Sequence, residues 1–365
     1  MREPLVINTD RGLYCPAGDF HIDAWRPVTR TIVTHAHSDH ARRGSARYLT
    51  ARDGVAVLRR RMGDDAIIDP IDYGTPLDMS GVRVSLHPAG HVLGSSQVRI
   101  EHDGEVWVFT GDYKRQPDPT CKPFELIRCN TLITECTFGL PIFRWGDPSV
   151  TATEMNRWWR RNVELQRTSL LLAYSLGKAQ RVLASLDPAI GPILLHGAIV
   201  GMVEAYRETG VSLPPTEHAS AENAKKHKGR ALVIAPPGAI GTPWVRKFAP
   251  LSSAIASGWM QVRGFRRRRS ADRGFVISDH VDWPALMQTI DETGAERIIA
   301  THGYTGPLVR YLSEKGTHAT AFETRFKNEG EDDEDTEQLQ SPSPSTLGEG
   351  RGDGLPPETN GEAAP

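Results

Sequence analysis

The chain has 365 residues and a formal net charge of −2, with 34 glycines and 26 prolines. This length exceeds that of most single domains and is sufficient to bury a sizeable core. No apolar run approaches the roughly 18 residues of a membrane-spanning helix, and none resembles a secretory leader, so we expect a cytoplasmic protein without a membrane partner. The four cysteines form no Cys-x-x-Cys pair, which argues against a disulfide framework or a zinc knuckle.

The charge is unevenly distributed along the chain. Residues 328–365 carry a net charge of −10, which leaves +8 for residues 1–327. A basic body is compatible with an anionic polymer as substrate. The segment 327–365 is acidic, then rich in serine, proline and glycine, with almost no large apolar residues, and this composition predicts a disordered acidic tail.

Residues 1–150 predict short strands that end in polar residues. Thr31–Thr34 is a β-branched run, typical of a strand, and it ends at His35. Asp103-Gly104 is a hairpin turn signal between two apolar runs. Thr131–Thr134 predicts a buried strand that ends at Glu135. Active-site residues of α/β proteins often follow strand ends, so the polar residues at these positions are candidates for catalysis or metal binding.

The pattern changes near residue 150. A capping box at Thr151 predicts the start of a helix, and strands then alternate with helices through residue 272. This alternation predicts a parallel α/β domain, 151–272, inserted into the first one. The earlier pattern returns over 273–326, where two predicted strands lead to His280 and His302.

The densest group of potential metal ligands is the run His35-Ala36-His37-Ser38-Asp39-His40. On an extended backbone His35 and His37 point the same way and can reach one metal ion. Asp39 and His40 can then turn toward a second ion. Imidazole and carboxylate ligands together suit zinc, with manganese as the alternative. Four potential ligands in six residues therefore predict a two-metal site.

Three further candidates follow other predicted strands: Asp10, His91 and Asp112. Glycines lie beside His91 and Asp112, and a residue without Cβ lets the backbone pass close to a metal. A turn or capping role would explain each of these residues alone. Together with the first run, they favour the metal site.

The order of Asp10, HAHSDH at 35–40, GHVLGS at 90–95 and GDY at 111–113 resembles the metallo-β-lactamase superfamily. The resemblance implies a four-layer αββα sandwich of the α+β class, with a two-metal site on one edge. It assigns His35, His37 and His91 to one metal ion, and Asp39 and His40 to the other. It also implies that Asp112 bridges the two ions and that Asp10 supports the ligands through hydrogen bonds.

Glu135, His280 and His302, separated by the inserted α/β region, are similar to motifs A, B and C of the β-CASP nucleases. This branch cuts nucleic acids. The resemblance implies that His302 completes the second metal site and that His280 lies at the scissile phosphate. Because an imidazole titrates near neutrality, we predict that His280 gives a proton to the leaving oxygen. Asp39, Asp10 and Glu135 are further candidates for the catalytic machinery.

The opening TDRGLYCPAGDFHIDAW and the segment SLGKAQRVL are most similar to the bacterial ligase-associated DNA exonuclease group. That group implies a metal-dependent DNA exonuclease in repair and end processing, with a DNA ligase or helicase as possible partner. A histidine at motif C is more typical of RNA-cutting members, so an RNA-processing nuclease is the alternative. A small-molecule hydrolase is disfavoured, because such a substrate needs no inserted lid.

Basic residues in the inserted region are candidates for binding the nucleic acid. Lys178 lies where a strand gives way to a helix, and helix N-termini bind phosphate. An arginine cluster, predicted to track phosphates, comprises Arg263, Arg266, Arg267, Arg268, Arg269 and Arg273. A solvated basic loop is the alternative interpretation of this cluster.

Overall fold

The computed structural model describes residues 3–262 and 271–322. The predicted tail, 327–365, and the arginines from Arg263 to Arg269 lie outside these residues. The described strands form three sheets. In spatial order the first consists of β1 (Ile7–Thr9), β2 (Gly12–Cys15), β3 (Phe20–Ile22), β4 (Arg30–Ile32), β5 (Arg47–Ala51) and β6 (Ile68–Ile71).

The other two sheets combine strands from distant parts of the sequence. The second has the order β19 (His318–Ala321), β18 (Arg297–Gly303), β11 (Thr131–Cys136), β10 (Glu105–Phe109), β9 (Ser96–His102), β8 (Val82–Pro88) and β7 (Leu77–Met79). The third has the order β14 (Glu217–His218), β13 (Ile193–Leu195), β15 (Leu232–Ala235), β12 (Thr168–Leu172), β16 (Leu251–Ala256) and β17 (Arg273–Phe275).

The helices pack against the faces of these sheets. The α-helices are α1 (Val55–Met62), α2 (Pro148–Glu164), α3 (Lys178–Ala184), α4 (Gly197–Glu208), α5 (Ala221–Lys226), α6 (Trp283–Thr293) and α7 (Thr305–Glu314). Short 3-10 helices span Arg52–Gly54, Pro237–Ala239, Pro243–Phe248 and Gly258–Gln261. Among the described helices, none combines the length and apolar character that crossing a bilayer requires.

The first two sheets face each other across one core. Ile32 and Leu49 of the first sheet share a buried cluster with Val84 and Trp107 of the second. Helices α6 and α7 cover the far side of the second sheet, and α1 packs on the first. The mixed α/β sandwich expected from the sequence is thereby confirmed.

The third sheet is parallel throughout and buried on both faces. Within β12, Leu170 and Leu172 face one apolar cluster while Leu171 faces another. A parallel sheet is usually packed against apolar groups on both faces, which explains why its strands consist of continuous apolar runs in the sequence. Trp158 and Trp159 of α2 are buried in one of these clusters.

Several local predictions can be compared with the structure. The hairpin at Asp103-Gly104 is confirmed, since both residues have positive φ and β9 pairs antiparallel with β10. Helix α2 begins before the predicted capping box at Thr151, because Asp147 caps it by accepting from the Ser149 backbone N–H (2.8 Å). Strand β17 pairs with β16 in the third sheet, so this sheet extends slightly past residue 272.

Candidate metal centre

The run from His35 to His40 forms the loop after β4, and a tight turn folds it back on itself. The backbone N–H groups of His40 and Ala41 both donate to the His37 carbonyl oxygen, at 3.2 and 2.9 Å. The turn brings the His40 ring to 4.1 Å from the His35 ring, centroid to centroid. Gly111 has φ +54°, and a Cβ there would lie 2.8 Å from the Thr34 Cβ, so glycine allows the Asp112 loop to approach this run.

Three imidazole nitrogens converge at the first candidate metal position. His37 Nδ1 lies 3.0 Å from His35 Nε2 and 3.1 Å from His91 Nε2. Nitrogens that bind one tetrahedral zinc ion at 2.0–2.1 Å are separated by about 3.3 Å, which is close to this spacing. A carboxylate oxygen of Asp112 completes a group whose ligand atoms all lie within 4.8 Å of one another.

A second group shares Asp112 with the first. It consists of His40, Asp112 and His302, and the rings of the two histidines stack at 4.9 Å. Asp112 Oδ2 lies 3.4 Å from both His35 Nε2 and His40 Nε2, which is a bridging position. Asp39 is more exposed, with its Oδ2 3.6 Å from His40 Nε2.

The donor set fits two divalent cations. Asp112 Oδ1 is buried and accepts no hydrogen bond from the described residues, and an unsatisfied carboxylate oxygen is costly at such a position. Imidazole nitrogens and carboxylate oxygens converge on the same point, and divalent metal ions would satisfy this arrangement.

Hydrogen bonds from the ring nitrogens that point away from the candidate metal positions fix the orientation of the histidines, as is usual for metal ligands. His40 Nδ1 donates to Asp23 Oδ2 (2.8 Å), and His91 Nδ1 donates to the Asp279 carbonyl oxygen (2.9 Å). In both cases Nε2 faces the site. His37 is reversed, because its Nε2 donates to the Leu176 carbonyl oxygen (3.2 Å) and its Nδ1 faces the other histidines.

Asp23, which the sequence reasoning missed, provides the support predicted for Asp10. Its buried carboxylate accepts from the Thr34 backbone N–H (2.8 Å), from Thr34 Oγ1 (2.6 Å) and from His40. The prediction for Asp10 is wrong: its side chain is 67% exposed and pairs with Arg26 at 2.8 Å. The missed signal was an acid directly after the buried strand β3, the same signature that identified Glu135.

Burial and neighbouring charges shift the pKa values of these groups. Burial lowers the pKa of His35 and His91 well below the usual value, which favours neutral rings. Burial also opposes charge on His40, but Asp112, Asp39 and Asp23 outweigh it and raise the pKa of His40. The pKa of Asp112 is lowered despite burial, because of His40 and His280. The carboxylate of Asp112 is therefore ionised, as a metal ligand must be.

Glu135 and His280 form a buried pair next to Asp112. His280 Nδ1 lies 2.9 Å from Glu135 Oε2 and 3.9 Å from Asp112 Oδ2. Glu135 is fully buried and also accepts from the Tyr113 backbone N–H at 2.9 Å. Burial raises the pKa of Glu135, while His280 acts in the opposite direction. Glu135 stays a predicted catalytic residue, and its contact with His280 gives it a way to orient that imidazole.

The basic residues predicted to bind nucleic acid do not share one surface in the described residues. Lys178 is completely buried, with its Nζ 3.7 Å from Asp279 Oδ2 and 4.5 Å from the centre of the Tyr174 ring. It therefore has no surface to offer a phosphate, and that prediction is wrong. Arg273 is exposed and pairs with Glu154 at 3.2 Å.

Comparison with known proteins gives relatives of two kinds. No family model matches the chain. A protein described as a probable DNA ligase, from Opitutus terrae, is 28% identical over 87% of this chain and 31% of its own length. Endoribonuclease YSH1 of Candida albicans is 23% identical over 68% of this chain and 36% of its own. Endoribonuclease YSH1 of Saccharomyces cerevisiae is 33% identical over 33% of this chain and 15% of its own.

The chain thus spans about a third of the length of the first two of these relatives. A solved structure with a similar fold is a protein of unknown function from Enterococcus faecalis V583. It matches with a TM-score of 0.55 and 13% identity, over 82% of this chain and 80% of that one. At this identity the likeness concerns the fold alone.

Proposed function

We propose that this chain, whose relatives confirm its resemblance to the metallo-β-lactamase-fold nucleases of the β-CASP branch, is a metal-dependent nuclease that hydrolyses phosphodiester bonds of DNA. The observation that carries the proposal is the position of Asp112. Its carboxylate belongs to three donor groups at once, two of them rich in histidine and the third formed with Glu135 and His280. A metal pair and a proton donor would therefore meet at one phosphate.

In this proposal His35, His37, His91 and Asp112 would hold one cation, and Asp39, His40, His302 and Asp112 would hold the other. A bound pair of divalent cations lowers the pKa of water and offsets the charge of a phosphate, and zinc suits these ligands, with manganese as the alternative. Asp23 keeps His40 oriented by accepting its Nδ1 proton.

His280 is the proposed general acid. Glu135 accepts the hydrogen bond from His280 Nδ1, which leaves Nε2 to protonate the leaving oxygen. Burial of Glu135 strengthens this contact, since no water competes for the carboxylate. The pair resembles the base and orienting acid found in many hydrolytic enzymes.

DNA is favoured over RNA by a relative that matches 87% of this chain and is named for ligation of DNA. RNA is the second candidate, because two of the relatives above are named endoribonucleases. We further propose exonuclease action in end processing beside a DNA ligase or helicase, since an enzyme that trims ends prepares substrates for a ligase.

The third sheet is proposed as an inserted domain that helps to form the substrate groove. The carboxyl end of β12 leads to Leu176, whose carbonyl oxygen touches His37, and the carboxyl end of β17 leads to His280. Ligands of parallel α/β sheets bind at this end of the strands. A nucleic acid between the third sheet and the metal centre would explain both connections.

The proposal is tested with end-labelled DNA and RNA of the same sequence, single- and double-stranded, digested with Zn²⁺ or Mn²⁺. We expect wild type to degrade DNA faster than RNA, and His37→Ala to degrade neither. Asp10→Asn is the matched control, because its side chain lies on the surface, and it should behave as wild type. Faster RNA cleavage would establish the second candidate, and cleavage of neither polymer by the metal-loaded protein would refute the proposal.

A further inference from the structure

The segment Ser278–His280 serves the metal centre at two points. The Asp279 carbonyl oxygen accepts from His91 Nδ1 (2.9 Å), and the next residue is His280. The Ser278 hydroxyl accepts from the backbone N–H of His280 at 3.1 Å. A small displacement of this backbone would therefore move a metal ligand and the proposed acid together.

Two basic side chains, Arg181 and Lys114, form hydrogen bonds to the backbone of the same segment. Arg181 Nη1 donates to the Ser278 carbonyl oxygen (2.6 Å), and Lys114 Nζ donates to that oxygen as well. Arg181 Nε lies 2.5 Å from Asp118 Oδ2 and 3.3 Å from Asp279 Oδ1. Arg181 thus contacts the segment at both its backbone and its side chain.

These contacts belong to a buried set of charges that we call the Arg181 network. Its members are Lys114, Asp118, Lys178, Arg181 and Asp279. The side chains of Asp118 and Asp279 are each 2% exposed, and that of Arg181 is 13% exposed. The loop after β10, helix α3 and the loop after β17 each contribute at least one member.

Burying so many charges is costly, and well-packed apolar residues often stabilise a core as well or better. A guanidinium offers something that apolar groups lack, because its planar fork donates in several fixed directions at once. Arg181 donates from Nε to Asp118 Oδ2 and from Nη1 to the Ser278 carbonyl oxygen, and its Nε also forms an ion pair with Asp279 Oδ1. The geometry therefore points to a role in positioning more than in stability.

We propose that Arg181 is a positioning residue that sets the Ser278–His280 backbone, so that His91 is oriented for its metal ion and His280 for its proton transfer. The part that concerns His280 rests on the proposed nuclease function. The part that concerns His91 does not, because metal affinity is measured without a substrate.

The test compares Arg181→Met, Arg181→Lys and Asp118→Asn with the control Arg160→Met. Arg160 is an exposed arginine whose partner, Asp187, lies 2.7 Å away at the surface. Three quantities are measured for each variant: zinc affinity by competition with a chromogenic chelator, kcat and KM on DNA, and the melting temperature of the metal-free protein.

We expect Arg181→Met to bind zinc about 10- to 100-fold more weakly, the usual cost of losing a group that orients a metal ligand. Its kcat should fall with KM nearly unchanged. Arg181→Lys should restore the melting temperature but little of kcat, because an ammonium cannot reproduce the planar fork. The zinc affinity and kcat of Asp118→Asn should lie between those of Arg181→Met and Arg181→Lys. Arg160→Met should match wild type in every measurement.

Unchanged zinc affinity and kcat in Arg181→Met would overturn the proposal, and so would full recovery of both by lysine. A loss confined to KM would assign Arg181 to substrate binding instead. Should Arg181→Met not fold, Arg181→Lys and Asp118→Asn decide by the same criteria. A wild type that binds zinc but cleaves no nucleic acid would refute the nuclease function, while the zinc affinities would still decide the role toward His91.

Discussion

The metal centre and the Arg181 network are neighbouring sets of buried ionisable groups, and they balance their charges differently. In the centre, imidazole nitrogens and carboxylate oxygens surround a common point, and Asp112 Oδ1 receives no hydrogen bond from the described residues. In the network, the carboxylates of Asp118 and Asp279 face Arg181 and Lys178. The first arrangement calls for cations from outside the chain, whereas the second contains its own. The two sets meet at Asp279, whose carbonyl oxygen accepts from His91 Nδ1 while its carboxylate faces Arg181.

The largest expected effect is that of Asp112→Ala, because this carboxylate is common to all three donor groups. We expect no measurable nuclease activity and fewer than two bound metal ions per chain, determined by elemental analysis after dialysis. The Arg181 network does not contain Asp112, so the variant should stay folded. Two retained ions would show that the groups around His35 and His40 bind metal without a shared carboxylate, which would contradict the role given to Asp112 in the metal centre.

The next effect concerns His280. Replacing it with alanine should lower kcat by about 10²- to 10⁴-fold, the usual contribution of a general acid, while both metal ions remain bound. Glu135→Gln should cause a smaller loss, because the amide oxygen still accepts from His280 Nδ1 but carries no charge. Single-turnover rates measure the loss of catalysis in each variant, and metal content shows whether both ions remain bound. Normal turnover in His280→Ala would remove this residue from the mechanism.

A smaller effect concerns the stability that Asp279 of the Arg181 network gives to the metal-free protein. Burial opposes the ionisation of Asp279, but Lys178 and Arg181 outweigh it and lower its pKa. A lowered folded-state pKa contributes stability that is present above the ordinary carboxyl pKa of about 4 and is lost as the pH falls through the folded-state value. Asp279→Asn should therefore destabilise the metal-free protein by about 3 kcal/mol at pH 7.

The difference in free energy of unfolding between Asp279→Asn and wild type should become smaller as the pH is lowered below about 4. Urea unfolding at a series of pH values in the presence of a chelator measures this difference. Asp187→Asn is the control, because Asp187 pairs with Arg160 at the surface. A difference that stays constant with pH would mean that Asp279 is not held ionised by the network.

Sequence identified the centre better than the network because of how each is built. His35, His37, Asp39 and His40 lie within six residues, so a local pattern was enough to predict a metal site. The hairpin at Asp103-Gly104 also follows from local turn chemistry, and the sandwich was implied by the resemblance that these short motifs carry. These signals depend only on neighbouring residues in the chain.

The network depends on contacts across the sequence, and no local pattern encodes them. Lys178 follows a strand and opens a helix, which favoured a phosphate contact, but its burial depends on Asp279, which lies about a hundred residues later. Likewise, Asp10 and Asp23 both follow short strands in the same sheet. Strand β3 before Asp23 is more buried than β1 before Asp10, but the supporting role of Asp23 depends on the packing of Thr34 and His40 around it.

The smallest expected effect uses that difference as a matched pair. Asp23→Asn keeps the shape of the side chain but removes the charge that His40 Nδ1 faces, so the ring loses part of its orientation. We expect zinc to bind about 10- to 100-fold more weakly to the group around His40, with the group around His35 less affected. Asp10→Asn should leave both affinities unchanged, because its side chain contacts Arg26 at the surface.

Calorimetric titration of metal-free protein separates the two binding events. An equal weakening at both groups would mean that Asp23 supports the whole loop, and a loss in Asp10→Asn would restore the role first predicted for that residue.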